Sequence, residues 1–345
     1  MLALRPLPGE VQQLMIPIFD VAAPSKNADR AKAHKYVLGN ITRMGKVAAG
    51  FDVVFIDSSE LDSVFRLPGA VHPLSAAAAA LTDAGARVIP VTGLHRDTVH
   101  NKVVLETRKL HPQRELCLRL DATDVSTASL THKGVLGFLG ASGIATEQTY
   151  LLLDLQCLYG QDGKTVVAIV TRLLKLLKDK KWAGIIVGGY GIPDQLATAL
   201  STNAQGYLPR IEQSVFRELA AHGWESPLWF ADYTVVPPSV VELDWKLIRK
   251  VMAPRALYAL DESWFVVRGG AFSSHQDGYG QYYAIADEIV ALDEFSGEDY
   301  SAGDKYIWER AQRVGGKPGS PASWITACVN HHITFTARAH EGSNS

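Results

Sequence analysis

Eight short apolar runs recur along the chain, nearly all of them followed by a longer stretch with helical spacing, and this repeat limits the fold more than any other feature. The runs are MIPIFD (15–20), DVVFID (52–57), ARVIPVTG (86–93), ELCLRLD (115–121), YLLLDL (150–155), AGIIVGG (183–189), SPLWFAD (226–232) and RALYAL (255–260). Their Val, Ile, Leu and Phe are nearly continuous instead of alternating with polar residues. A strand with that pattern is buried on both faces, as strands of a parallel sheet are.

Several of the intervening stretches carry helix punctuation. The stretch 27–47 follows a polar Ser25-Lys26-Asn27 start, and 73–84 is alanine-rich and stops at Gly85. The stretch 164–180 is amphipathic with lysines at its C-terminal end, where cations complement the helix dipole. Further helices are expected over 209–222, ending at Gly223, and over 238–252, with a glycine-rich one over 124–143. Strand–helix alternation requires parallel pairing with right-handed crossovers. The expected fold is therefore α/β: a (β/α)8 TIM-like barrel over residues 1–270, whose eight units suit the length typical of such barrels. The alternative is a doubly wound open parallel sheet, although no GxGxxG follows the first strand.

After the eighth run the pattern changes. ALYALDESWFVVRGG reads as a hairpin turning at Asp261-Glu262-Ser263. Helices are expected near 281–292 and 304–313, and a last strand over HHITFTAR (331–338). Residues 271–340 are read as a C-terminal α+β cap packed on the barrel, and 341–345 as a disordered tail.

With 34 Lys and Arg against 36 Asp and Glu, the chain has no basic field to grip nucleic acid or a membrane surface. No apolar run reaches the roughly 20 residues of a membrane span. The start lacks a secretory apolar segment of usual length, and three scattered cysteines (Cys117, Cys157, Cys328) suit a reducing compartment. The expectation is a cytoplasmic protein. Cys328 and His331 form one CxxH without the second pair a zinc site needs.

In a barrel the chemistry lies at the C-terminal ends of the strands. Here those ends carry Asp20, Asp57, Thr92, Arg119 with Asp121, Asp154, Gly188-Gly189, and Asp232 with Tyr233. An aspartate after a strand also caps helices and forms turns. Arg119 and Asp154 are more telling, because an apolar residue follows each (Leu120, Leu155), so both lie within their strands. A charge there must face the lumen or a buried partner, and an Arg119–carboxylate pair is the simplest answer; such a pair also serves structure alone. Arg210 stands at the start of a helix, where the dipole disfavours a cation, which points to an anion or carboxylate partner. Arg96 and Arg268 extend the set, and His95 follows the third strand as a candidate base. GGYGIP (188–193) lacks the Lys-Ser/Thr of a phosphate-binding loop and reads as a tight turn.

PVTGLHRD (90–97), LCLRL (116–120), LLLDL (151–155), LPRIE (208–212), FADY (230–233), WFVVRGG (264–270), SAGDKYI (301–307), Trp324 and NHHITF (330–335) occur in this order. Together they resemble the beta protein family of bacteria and phages, the "beta family protein" set, from about residue 16 to residue 338. The resemblance implies single-domain proteins of about this size in mobile or phage-related gene neighbourhoods, with no settled activity. The positions matching its motifs are Thr92, Asp97, Arg119, Asp154, Arg210, Asp232, Tyr233, Arg268, Gly303, Asp304, Trp324, His331 and His332. The chain departs from the family's pattern at FADY, where a glycine often precedes the aspartate, and at the Cys-Val before Asn330.

Two functions follow as expectations. The first is an enzyme, a hydrolase of a phosphodiester or nucleotide substrate, working in phage defence or a mobile element. Asp154, Asp232, Tyr233 and His331 would be catalytic; Arg119, Arg210, Arg268, Thr92 and His95 would bind substrate; Asp57 and Asp154 would hold Mg²⁺. The second is a non-catalytic sensor or partner that binds a ligand or a protein encoded nearby. Sequence-specific DNA binding is not expected, since no helix-turn-helix, zinc finger or basic stripe is present.

Overall fold

The computed structural model describes residues 2–61, 63–236 and 252–341. Among them are ten strands: β1 (Ile18–Asp20), β2 (Val53–Asp57), β3 (Arg87–Thr92), β4 (Leu116–Leu120), β5 (Thr149–Cys157), β6 (Gly184–Tyr190), β7 (Ala204–Pro209), β8 (Leu228–Asp232), β9 (Arg255–Ala259) and β10 (Ser263–Arg268). The helices are α1 (Gly9–Gln13), α2 (Arg30–Ala48), α3 (Pro73–Asp83), α4 (Thr98–Thr107), α5 (Ala122–Ser126), α6 (Ala128–Ser142), α7 (Gly163–Leu177), α8 (Ile211–Ala220), α9 (Gln281–Val290), α10 (Ala302–Ala311) and α11 (Pro321–Ala339). None of the described helices is long and apolar enough to cross a membrane.

Seven strands form one parallel sheet in the order β1-β2-β3-β4-β5-β6-β8. The strands follow one another in chain order, so right-handed crossovers place their helices on one face. That outer face packs on α2 and α3 through Val54, Ile56 and Val88, and on α5 to α8 through Leu118, Leu153 and Val187. The other face is concave and carries its own cluster of Phe55, Ile89, Val91, Cys117, Tyr150, Leu152 and Ile186. The sheet is a curled half-barrel.

The eight-stranded barrel does not close, and the open parallel sheet is the form adopted. The eighth run, RALYAL, does not join β1. It supplies β9, which pairs antiparallel with β10, and β10 pairs in turn with β7. The tight turn after Leu260 brings β10 beside β9 at little loop-closure cost, whereas pairing with β1 would close a loop of more than 200 residues. The strand β7 was not expected. Its sequence, AQGYLP, is short, contains Gly and Pro, and is largely exposed on alternate residues.

The segment 331–338 is helical, not a strand. Ser320 caps the N3 amide of Ser323, Pro321 sits in the first turn, and Trp324, Ala327, Cys328, His331 and Thr334 fall on one buried stripe. The β-branched Ile333, Thr334 and Thr336 mimic a strand when read alone. The helix α11 serves both halves of the molecule: Trp324 and Cys328 lie in a second core with Tyr258, Trp264 and Tyr282, while Ala337 and Ile333 join the β1–β2 side of the first sheet. The helix expected over 238–252 lies, Met252 apart, outside the described residues, as do residues 342–345.

The motif glycine Gly303 has a packing role. It lets α10 meet α11 so closely that a Cβ there would collide with the Ala327 carbonyl and lie 2.8 Å from the His331 amide nitrogen. Gly303→Ala should lower stability by about 1–3 kcal/mol, the usual cost of overpacking. Gly137→Ala, at an open position of α6, should be neutral or stabilising by about 0.5–1 kcal/mol. Chemical denaturation of the two variants checks the contrast.

Candidate active site at the mouth of the half-barrel

Alternation along each strand puts every second side chain on the concave face. Lower positions on that face are apolar: Ile18 on β1, Phe55 on β2, Cys117 on β4, Leu152 on β5 and Ile186 on β6. Two residues on, at the C-terminal ends, the same phase presents Asp20, Asp57, Arg119, Asp154 and Gly188. Tyr233 follows β8. The step from apolar to charged therefore occurs at one level across the sheet.

Arg119 is the hub of that level. Its Nε donates to Asp154 Oδ2 (2.9 Å), and its Nη1 donates to Asp20 Oδ1 (3.2 Å) and Asp57 Oδ2 (3.0 Å). Its Nη2 donates to the Tyr233 hydroxyl (2.8 Å) and lies 2.8 Å from Asp154 Oδ2. Every guanidinium nitrogen is thus engaged. Burial opposes its charge, but Asp20, Tyr233, Asp154 and Asp57 outweigh that and push its pKa up.

The carboxylates differ in their surroundings. Asp57 is fully buried; Oδ1 accepts from the amides of Ser58 (2.7 Å) and Ser59 (2.9 Å), and Oδ2 also accepts from Arg96 Nη2 (3.2 Å). Asp154 Oδ1 accepts from the amide of Gln156 (3.1 Å), a residue held at φ 56°. Asp20 receives only the Arg119 bond among the described residues. Burial first, and the Asp57 charge second, push the Asp20 carboxyl up to about 7, although 27% of its side chain remains exposed. Burial and the nearby Asp154 push the Tyr233 phenol up as well. A cavity of about 240 Å³ opens over Asp20, Arg119, Asp154 and Tyr233.

A second polar group adjoins this mouth. Asp232, on the outward phase of β8, accepts from the Thr234 amide (2.9 Å) and meets His332 Nε2 at 2.7 Å. Burial would raise its pKa, but His332 and Arg210 beside it bring it below the usual value. Arg210 is buried and joins three elements: it donates to the Leu260 carbonyl (3.0 Å) and Thr336 Oγ1 (3.1 Å), approaches Glu212 Oε1 (3.5 Å) and lies 5.2 Å above the Trp264 ring. Burial pushes Glu212 up to about 7.

Of the residues expected at the site, Asp57, Asp154 and Tyr233 converge on Arg119, and Asp232 lines the cavity with Arg119, Asp154 and Tyr233. The others lie elsewhere. His331 is fully buried in the second core, between Asp304 (3.0 Å) and the Ala259 carbonyl (2.9 Å), and stacks on Tyr258. It does not line the mouth cavity, whereas its helical neighbour His332 meets Asp232. Arg268 ends β10 and donates to the Leu200 carbonyl (2.7 Å), in the antiparallel sheet. Thr92 is on the outward phase of β3 and binds Asn101 (2.6 Å). His95, largely exposed, meets Asp124 (2.9 Å) on the rim. Asp97 and Asp121 cap α4 and α5. Arg210 turns to carboxylates, the partner its helix-start position pointed to. The expected Mg²⁺ ligands Asp57 and Asp154 are bridged by Arg119, and no group of three His, Cys, Asp or Glu among the described residues is placed to hold a metal.

Two participants escaped the sequence reading. Asp20 was seen as one strand end among several, though its phase alone places it beside Arg119. His332 is a motif position, but a segment read as a strand gives no ground for choosing it over His331.

The fold and site define a class: an open-sheet α/β protein with a buried guanidinium–carboxylate hub at the C-terminal edge of its parallel strands. The chain belongs to the Beta protein family, whose model matches residues 1–338. Among curated proteins none matches. Among solved structures it is similar to an uncharacterized protein from Clostridium thermocellum that binds two copies of 5-methyl-5,6,7,8-tetrahydrofolic acid. The identity is 12% and the TM-score 0.33, over 66% of this chain and 92% of that one.

Replacing Arg119 by Met should leave Asp20, Asp57 and Asp154 facing one another and cost about 3–5 kcal/mol at pH 8. The loss should shrink at pH 5, where Asp20 carries its proton. Urea denaturation at the two pH values tests this.

Proposed function

We propose that the protein binds a small organic molecule at the mouth of the half-barrel and acts on it by general acid–base chemistry, with Asp20 exchanging the proton. The observation that carries this reading is a partly exposed carboxyl, poised near pH 7, opening onto a cavity beside a fixed guanidinium and a phenol. A group with a pKa near the working pH is the efficient choice for proton transfer, and a perturbed carboxyl in a cleft marks a functional site. Asp20 and Tyr233 would orient the ligand's polar end, and Arg119 would hold Asp20, Asp154 and the Tyr233 hydroxyl in place.

The electrostatics favour a ligand end that donates hydrogen bonds or carries positive charge. Asp20, Asp154 and Asp232 line the cavity together with one cation, Arg119, whose nitrogens are already engaged. A phosphate would meet more negative than positive charge there. The arginines that suggested a phosphodiester substrate do not share this mouth: Arg210 is buried behind Asp232 and Arg268 belongs to the other sheet. Amines and polyols should raise the thermal midpoint of the wild type, and Asp20→Asn or Tyr233→Phe should abolish the rise. Stabilisation by nucleotides or inorganic phosphate instead, unaffected by those substitutions, would overturn the reading.

The Asp20 pKa also sets a pH dependence. Between the unfolded value near 3.8 and the folded value of about 7, the folded chain holds a proton that the unfolded chain has released. Stability through this group is therefore greatest at low pH and falls as pH rises through that window. The midpoint of Asp20→Asn should gain on that of the wild type from pH 5 to pH 8 by a few degrees, as followed by circular dichroism.

A further inference from the structure

Among the described residues the sheet has seven strands, each edge strand, β1 and β8, pairs on one side only, and the gap between them is not packed shut. It holds a cavity of about 590 Å³, walled by Ile18 and Phe19 on β1, Trp229 and Phe230 on β8, and Ile333 and Ala337 on α11. Protein interiors leave few voids larger than a water molecule, and this volume lies within the roughly 300–1,000 Å³ of small-molecule sites. The walls are mainly apolar and aromatic, and the polar lining comprises Asp232, Thr234 and His332 with Gln13, Thr336 and His340. Ile18, Ala231, Asp232 and Thr234 line this seam and the mouth cavity alike, so the two spaces adjoin.

We infer that the seam between β1 and β8 is the second compartment of the ligand site and takes an uncharged apolar or aromatic body, while the ligand's polar end reaches Asp20 and Tyr233. This rests on the mouth being a ligand site. The apolar walls supply affinity by burial of the ligand's body. The carboxylates of the mouth supply orientation at its donor end. The missing eighth strand thus makes room for a molecule longer than the mouth alone accommodates.

Two probes on the full-length chain test this. The first is the neutral dye 6-propionyl-2-(dimethylamino)naphthalene, which reports an apolar environment by a blue shift. It should bind saturably at one dye per chain. Ile333→Trp should weaken it about tenfold or more, the equivalent of about 1.4 kcal/mol, and Gly137→Ala, at the open position of α6, should leave it nearly unchanged. The second probe is the same dye carrying a primary aminoalkyl tail. It should bind about tenfold tighter than the neutral dye in the wild type, and the gain should vanish in Asp20→Asn. Lack of saturable binding by the neutral dye, or binding indifferent to Ile333→Trp in a chain with native circular dichroism, overturns the seam site. Should Ile333→Trp not fold, Ala337→Leu is read in the same way. A neutral dye blocked by Ile333→Trp, combined with no gain from the amine, overturns the joining of the two compartments. The mouth reading fails separately, when amines and polyols give no stabilisation that depends on Asp20.

Discussion

One guanidinium keeps three aspartates together at the end of a parallel sheet. Without Arg119, the side chains of Asp20, Asp57 and Asp154 would repel one another in a partly buried mouth, where unpaired charge is costly. Its position on β4, in the middle of the sheet, lets one side chain reach β1, β2 and β5 and the residue after β8. This reach depends on curvature. In a flat sheet, strands spaced about 4.8 Å apart would put β1 and β8 well beyond a single guanidinium. The apolar layer of Phe55, Cys117, Leu152 and Ile186 lies beneath it on the concave face.

Curvature without closure raises the question of what holds the open side. The answer lies in the antiparallel sheet and α11. Arg210 links the start of α8, the β9–β10 turn through the Leu260 carbonyl, and α11 through Thr336. His332 joins α11 to Asp232 at the end of β8. Gly303 lets α10 press on the opposite side of α11, where His331 and Asp304 are fully buried. Several motif positions far from the mouth, Gly303, Asp304, Trp324 and His331 among them, thus serve the helix that flanks the open seam. Their tie to the site is mechanical.

The parallel sheet was legible because its signal is local. Each of its seven strands shows as an apolar run, and the within-strand charges Arg119 and Asp154 announce an inward pair. Strand phase also fixes Asp57 and Asp20 beside them. What could not be read was long-range. Whether RALYAL meets β1 or folds back on WFVVRGG is a contest between one distant edge and one adjacent hairpin, and run composition is the same in both. The segment HHITFTAR reads as a strand from its β-branched residues, and only the Ser320 cap and Pro321 upstream disclose the helix. Misreading it placed His331 in the site in preference to His332. The arginines Arg119, Arg210 and Arg268 are alike as charges in the sequence, yet each has different acceptors: carboxylates, a mixture of carboxylates and a carbonyl, and the Leu200 carbonyl.

The contrast between Asp20 and Asp57 gives the mouth its chemical direction. They occupy paired positions on adjacent parallel strands, Asp20 opposite Asp57 in the register, and both touch Arg119 Nη1. Asp57 is anchored by two backbone amides and two guanidinium groups. Asp20 has one donor, the neighbouring Asp57 charge and an opening to the cavity. Two like groups thus sit in unlike surroundings, one held by four donors and the other open to the cavity, the kind of contrast acid–base sites rely on. The division follows from position: β1 is the sheet's edge, so Asp20 has a paired strand on one side and the open seam on the other. A closed barrel would have covered that side and removed the exposure of Asp20 to the cavity.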